Sequence, residues 1–391
     1  MTDTTVKFFH SEMPGAPVLS GTPGSLIAVL DAVLVNGFGL KTIDSLVIAA
    51  NVATANISTG HSAEVGSVVL IAGATPAALN GEQKVTATSA TSVTFATVGI
   101  PDQTATGAIS LKMASAGWSK TFSDTNKAVY KSNDPTGTGV YLRVDDTSDK
   151  YANAVGYEMM TDMNSGTGRF PSVAQLPNGV FWSKSDTASS ASRKWVIAVD
   201  TRLITHARYY AQNSYPLGCA LHCFGDPVPN KVGDAFSAVL MGDMQDASSN
   251  APGNGNATEN LYLTLPSDAP MYSPRSYTGL GSSISNKKGF TSLNYQNYWV
   301  SGICDSPPFP NPCDGGLFVT PLLIHESLSK TFRSVLPGIY GCPQNIPVSV
   351  FATKDAVVGV SGLPGKILRV LTCNYTTPYG VVFLDSTGPW R

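Results

Sequence analysis

Between residues 140 and 159 the side chains alternate. Val140, Leu142 and Val144 fall on one parity and Tyr141 and Arg143 on the other. After a polar turn at Asp145, Asp146 and Ser148, a second run sets Ala154, Gly156 and Glu158 opposite Val155, Tyr157 and Met159. A period of two on both sides of a polar turn is the pattern of paired, half-buried strands, and it excludes a helix at these positions. Whatever fold this chain adopts must therefore accommodate an antiparallel sheet near its middle.

Shorter β-type text runs on both sides. Residues 46–48, 52–57, 68–71, 84–88, 93–96 and 108–111 are apolar or β-branched and are separated by Gly, Asn, Pro and Thr clusters, at the spacing of a small Ig-like or barrel-like module. Asn80-Gly81 reads as a hairpin turn between two of these runs. Beyond the central stretch, strands are expected at 194–199, 203–210, 235–241, 260–265, 317–323, 348–352, 367–372 and 380–384, which fits a larger antiparallel β-sandwich of jelly-roll type. Long loops over 245–259, 266–297 and 305–314 interrupt them, and loops of that length are usually functional or contact-forming. One helix is expected, with Thr22 as N-cap and Pro23 at the first helical position. Leu26, Ile27, Leu30, Val33 and Leu34 recur at helical spacing until Asn36 and Gly37 end it. Being apolar on most sides, this helix is buried under its own sheet or against another subunit. With 391 residues the chain exceeds what one core holds. The expected division is an arm and helix at 1–41, the small module at 42–114 and the large domain at 115–391.

Charged residues make up 13% of the chain, against roughly 25% in an ordinary soluble domain. The net charge is −2 and no Lys/Arg cluster occurs, so neither a phosphate backbone nor an anionic membrane finds a partner here. A weakly charged surface favours association. The apolar run at 26–35 is half a membrane span and is interrupted by Asp31, and the N-terminus lacks the plan of a signal peptide. Synthesis in a cytoplasm is expected, with the six cysteines as thiols.

Sites of chemistry are sparse. The carboxylates Asp145, Asp146, Asp149, Glu158 and Asp162 crowd the central stretch, where the reading of the first three as turn caps outweighs a glycosidase pair. Cys219, His222 and Cys223 have a suggestive metal spacing, with Cys304, Cys313, Cys342 or Cys373 as further ligands, but the paired clusters of a structural zinc site are missing. No nucleophile elbow or phosphate-binding loop is complete: Gly359-Val360-Ser361-Gly362 and Gly365-Lys366 are near misses. No catalytic residue, cofactor or metal is expected. Contact residues are sought instead among the helix positions Leu26, Ile27 and Leu30, at Arg143, and among the loop aromatics Tyr272, Tyr277, Phe290, Tyr295, Tyr298 and Trp299, with Phe309 beside them. Interfaces are enriched in Tyr, Trp and Arg.

Four passages resemble structural proteins of tailed-bacteriophage virions encoded near tail genes. They are APVLSGTPGSLIAVLDAVLVNGFG, GHSAEVGSVVLIAGATPAALNGEQKVTA, the central stretch from GWSKTF through VYLRVDD to GYEMM, and LPGKI with the terminal STGPWR. The similarity follows the family's order and spans nearly the whole chain. It implies a place rather than a chemistry. The expected role is a non-enzymatic virion component, assembling as a symmetric homo-oligomer in the tail, tail tip or baseplate beside other virion proteins. The alternative is a receptor-binding protein that recognises host-surface glycan through aromatic loops.

Overall fold

The alternating stretch folds as its pattern requires. Leu142 and Val144 are fully buried, and their strand Tyr141–Asp145 pairs antiparallel with Tyr151–Tyr157 in the register Leu142↔Gly156 and Val144↔Ala154. With Trp118–Asp124, Lys127–Ser132 and Val180–Ser183 they form a five-stranded antiparallel sheet in chain order. The structure, a computed structural model, describes residues 3–209, 219–243, 271–289, 308–342, 344, 346, 350–352, 354–373 and 380–391. These residues are mainly β, 45% strand against 5% helix, with two curled, open half-barrel sheets and one short N-terminal helix.

Residues 38–113 supply an eight-stranded sheet whose strands run from Phe38–Thr42 to Ser110–Met113. Asn80 does not make the expected two-residue hairpin turn. Val68–Ala72 pairs with Gly81–Thr88 across a longer connection that contains a 3-10 turn at Ala77–Leu79. Both ends of the Asn80 side chain bond Ala74, to its N–H and its carbonyl at 2.8 Å each. The amide closes the loop from its side chain, a use of asparagine that a turn dipeptide does not reveal.

The remaining strands build a thirteen-stranded sheet. Its edge is the N-terminal strand Lys7–His10, which pairs with Trp195–Val199. The expected hairpin follows, Trp195–Val199 with Leu203–Tyr209, its turn held by Asp200 Oδ1 accepting from the N–H groups of Arg202 and Leu203. The expected loop 266–297 contains two strands of this sheet, Met271–Ser273 and Ile284–Gly289. Short strands among Ser, Pro and Gly carry too few apolar residues to announce themselves. The expected strand 260–265 lies outside the described residues.

The helix is Ser25–Leu30, extended by a π-helical turn Asp31–Asn36 and stopped at Gly37, whose φ of 71° suits glycine. Thr22 is not its N-cap. Gly24 holds that position with φ 78° and no side-chain bond, and the first amides are capped by Asp146, 120 residues away. Leu26, Leu30, Val33 and Leu34 are fully buried in one apolar core with the eight-stranded sheet, the five-stranded sheet and the first strands of the large sheet. Among the described residues no helix is long and apolar enough to cross a membrane.

Candidate functional site

Four carboxylates of the central stretch, Asp145, Asp146, Glu158 and Asp162, have structural partners. Asp145 pairs with Lys127 at 3.3 Å and Arg143 at 3.5 Å and accepts from the Thr147 hydroxyl. Burial alone raises its carboxyl, but Thr147, Lys127 and Arg143 together hold it below its usual value. Asp162 accepts from the N–H groups of Asn164 and Ser165, which lower its pKa. Glu158 takes a bidentate pair from Arg275 at 2.7 and 2.8 Å. Asp146 does not cap its own turn. Fully buried, it sits 2.5 Å from the Lys184 ammonium and accepts from the N–H groups of Leu26 and Ile27 at 2.8 and 3.2 Å. Burial pushes its carboxyl up to about 6 against the pull of Lys184 and both amides.

Two of the suggested metal ligands, His222 and Cys223, are separated by strand alternation. In Cys219–Gly225, His222 faces the main core and Cys223 the opposite one, where burial pushes its thiol up to about 12. Among the described residues no group of three His, Cys, Asp or Glu side chains is arranged to hold a metal ion. His222 has other partners. Its Nε2 lies 3.0 Å from Asp243, its Nδ1 lies 3.1 Å from Nδ1 of His206, and its ring stacks on Trp182 with centroids 5.5 Å apart. The Nδ1–Nδ1 contact joins the two imidazoles, and His222 Nε2 faces the Asp243 carboxylate. The His206 Nε2 is left buried without a partner. Burial, followed by the neighbouring His222, drives the His206 pKa well below its ordinary value. Both rings are sealed from solvent, so this chain of bonds meets no substrate. Residue spacing did not suggest it, although a register between residues 203–210 and 219–225 places the two histidines opposite each other.

The contact residues expected from sequence divide in three. Leu26, Ile27 and Leu30 are at most 7% exposed within this chain, so the helix is covered by its own sheets rather than by a second copy. Arg143 is an internal staple: its Nε donates to the Met163 carbonyl at 2.9 Å and holds the 159–167 hairpin onto the sheet. Phe290, Tyr295, Tyr298 and Trp299 lie outside the described residues. Tyr272 is half-buried against the main core, which leaves Tyr277 at the surface.

Tyr277 marks the candidate site, where three loops share one buried ion cluster. Arg333 is the hub. Its guanidinium bonds Asp234 at 3.0 and 3.2 Å, pairs with Glu326 at 3.3 Å, and donates to the carbonyls of Arg275 and Phe236 at 2.7 and 2.6 Å. Four hydrogen bonds and one ion pair thereby engage the fork, as burial of an arginine demands. Glu326 in turn accepts from Tyr277 N–H at 2.6 Å and from the hydroxyls of Ser276 and Ser329. Lys231 donates to the Tyr277 carbonyl, and Arg275 lies over the Phe236 ring while pairing with Glu158. Loops 230–237, 274–283 and 327–331 are thus fixed at their bases. Their tips expose Val232 at 96%, Leu280 at 75% and Leu328 at 98%. No sequence spacing links Asp234, Arg275, Glu326 and Arg333, because only the folded sheet brings them together.

No protein-family model matches this chain, and no curated protein matches it.

Proposed function

We propose that this chain is a non-enzymatic structural component of a tailed-phage virion, present as a symmetric homo-oligomer in the tail, tail tip or baseplate and in contact with other virion proteins. The observation that carries the reading is the group of rigidly based loops with apolar tips. Exposed aliphatic side chains on an ordered, ion-paired base are costly to leave in water and suit a contact surface. The low charge of the chain and the four passages of virion-like text favour the same reading. So do Asp145, Asp146, Glu158 and Asp162, each engaged in holding backbone or a basic side chain. The finer architecture we infer is an arm and helix at 1–41, a small Ig-like or barrel-like module at 42–114, and a jelly-roll-like sandwich at 115–391.

The test combines two measurements. Sedimentation velocity of the purified chain is expected to give a closed oligomer, dissociated by Leu280→Asp with Leu328→Asp, and mass spectrometry of purified particles is expected to find the chain at a stoichiometric ratio. A monomer that is also missing from particles overturns the proposal.

A further inference from the structure

Away from the three loops, the C-terminal part of the large sheet carries its own apolar core. Leu317, Ile346, Val360, Leu368, Val370, Val381 and Phe383 form it, with Phe309 and Phe351 packed at its side. Over this core opens a pocket of about 370 Å³, lined by Asn311, Asp314, Leu317, Phe318, Val319, Gln344, Ser361 and Gly362. That volume lies within the range of roughly 300–1,000 Å³ usual for small-molecule sites.

The wall of the pocket is pre-formed. Gln344, 5% exposed, accepts from Phe318 N–H at 2.6 Å and donates to the carbonyls of Pro308 and Gly316 at 3.0 and 3.3 Å. One side chain thus ties three backbone segments. Asp314 is oriented in the same way: its Oδ1 accepts from Asn311 Nδ2 at 2.7 Å and from Gly316 N–H at 2.9 Å. Among the described residues nothing bonds its Oδ2, the side-chain Oδ1 of Asn311 or the Ser361 hydroxyl. What faces the opening is therefore a fixed set of acceptors, one hydroxyl and the half-exposed face of Phe318, with Leu317 and Val319 behind.

This combination selects a ligand class. Among the described residues the lining has no Lys, Arg or His, so a phosphate or carboxylate finds no counter-charge there. A single carboxylate beside an amide oxygen is too few hard ligands for a divalent cation, which takes about six to eight oxygens. A pyranose satisfies every part. Its hydroxyls donate to Asp314 and Asn311, and one exchanges a bond with Ser361. Its C–H face lies on the Phe318 ring. Charge-assisted hydrogen bonds from hydroxyl to carboxylate are the stronger kind.

We infer that the pocket between Asp314 and Phe318 is a binding site for a neutral sugar ring, the terminal or branch residue of a glycan. Of the aromatic residues in which sequence placed glycan contact, Phe309 packs beside this core, and nothing in the pocket depends on whether the chain is built into a particle.

The experiment is saturation-transfer NMR on the full chain with free glucose, galactose, mannose, rhamnose and N-acetylglucosamine at millimolar concentration, and choline as a cationic control. Transfer to at least one sugar is expected. Its affinity should fall about tenfold or more in Asp314→Asn, which keeps the loop bonds of Oδ1 but loses the charge-assisted bond. It should fall likewise in Phe318→Ala, with melting temperatures unchanged in both variants. Three results overturn the inference: no sugar shows transfer, transfer survives both substitutions, or choline alone binds.

Discussion

At the scale of single residues, Asp146 and Lys184 do the most with the least surface. Lys184 donates to the Thr22 and Ser148 carbonyls at 2.7 Å each and pairs with the Asp146 carboxylate. Asp146 answers with two helix amides. Two ions stripped of water cost several kcal/mol each to bury, and close pairing together with the bonded carbonyls and amides offsets that cost. Removing one partner leaves the other charged and dry, so Lys184→Met is expected to lower the unfolding free energy by about 3–5 kcal/mol in urea titration. Asp146→Leu added to it should restore only part of that loss, because the amides of Leu26 and Ile27 remain uncapped. His206 sets a pH dependence. Its folded pKa is depressed by burial and by His222, with Arg208 acting in the same direction and Asp243 against it. The unfolded chain takes up a proton near about pH 6.5 while the folded chain refuses it, so stability held above that pH is lost as pH falls. Asp146, raised to about 6, has the opposite sign, since the folded chain binds its proton more readily than the unfolded one. It is common to wild type and His206→Gln, and their difference isolates the imidazole. Between pH 7.5 and 5.5 the urea midpoint of the variant should decline less than that of wild type.

At the scale of elements, the strand Tyr151–Tyr157 shows how close packing uses a missing side chain. Gly156 exchanges two 2.8 Å backbone bonds with Phe170, whose ring lies directly over the glycine and stacks on Phe224 of the large sheet. A Cβ added at Gly156 falls inside that ring. Gly156→Val is therefore expected to destabilise by about 1–3 kcal/mol through overpacking, read as a lowered melting temperature. A strand of alternating residues was legible from sequence, and so were the helix stop at Gly37 and the 195–209 hairpin, because each rests on neighbours a few positions apart. The helix start was not. Its cap comes from Asp146 across the chain, and Thr22 supplied a local signal that pointed elsewhere. Strands Met271–Ser273 and Ile284–Gly289 were hidden for a related reason: their partners, not their composition, make them strands. The candidate surface was least legible of all. Tyr277 stood out as an aromatic in a loop, but Val232, Leu280 and Leu328 are ordinary residues until Arg333 gathers their loops.

At the scale of the molecule, the cores differ in extent. The main one joins the helix to all three large sheets, while the one beneath the sugar pocket involves only residues near 309–383. Regions with fewer buried contacts open at lower free energy. In native-state hydrogen exchange the amides of Leu368–Cys373 are expected to exchange faster than those of Trp195–Val199. The edge pairing of Lys7–His10 with Trp195–Val199 has a temporal consequence. Its register sets Lys7 against Val199, so on a ribosome adding about 5–20 residues per second this strand waits roughly ten to forty seconds for its partner. Helix capping waits similarly for Asp146 and Lys184. During that interval Val6, Phe8 and Phe9, buried in the finished fold, form an unpaired apolar strand on a growing polypeptide, a natural client for a holdase and a point where crowded synthesis invites misassembly between nascent chains.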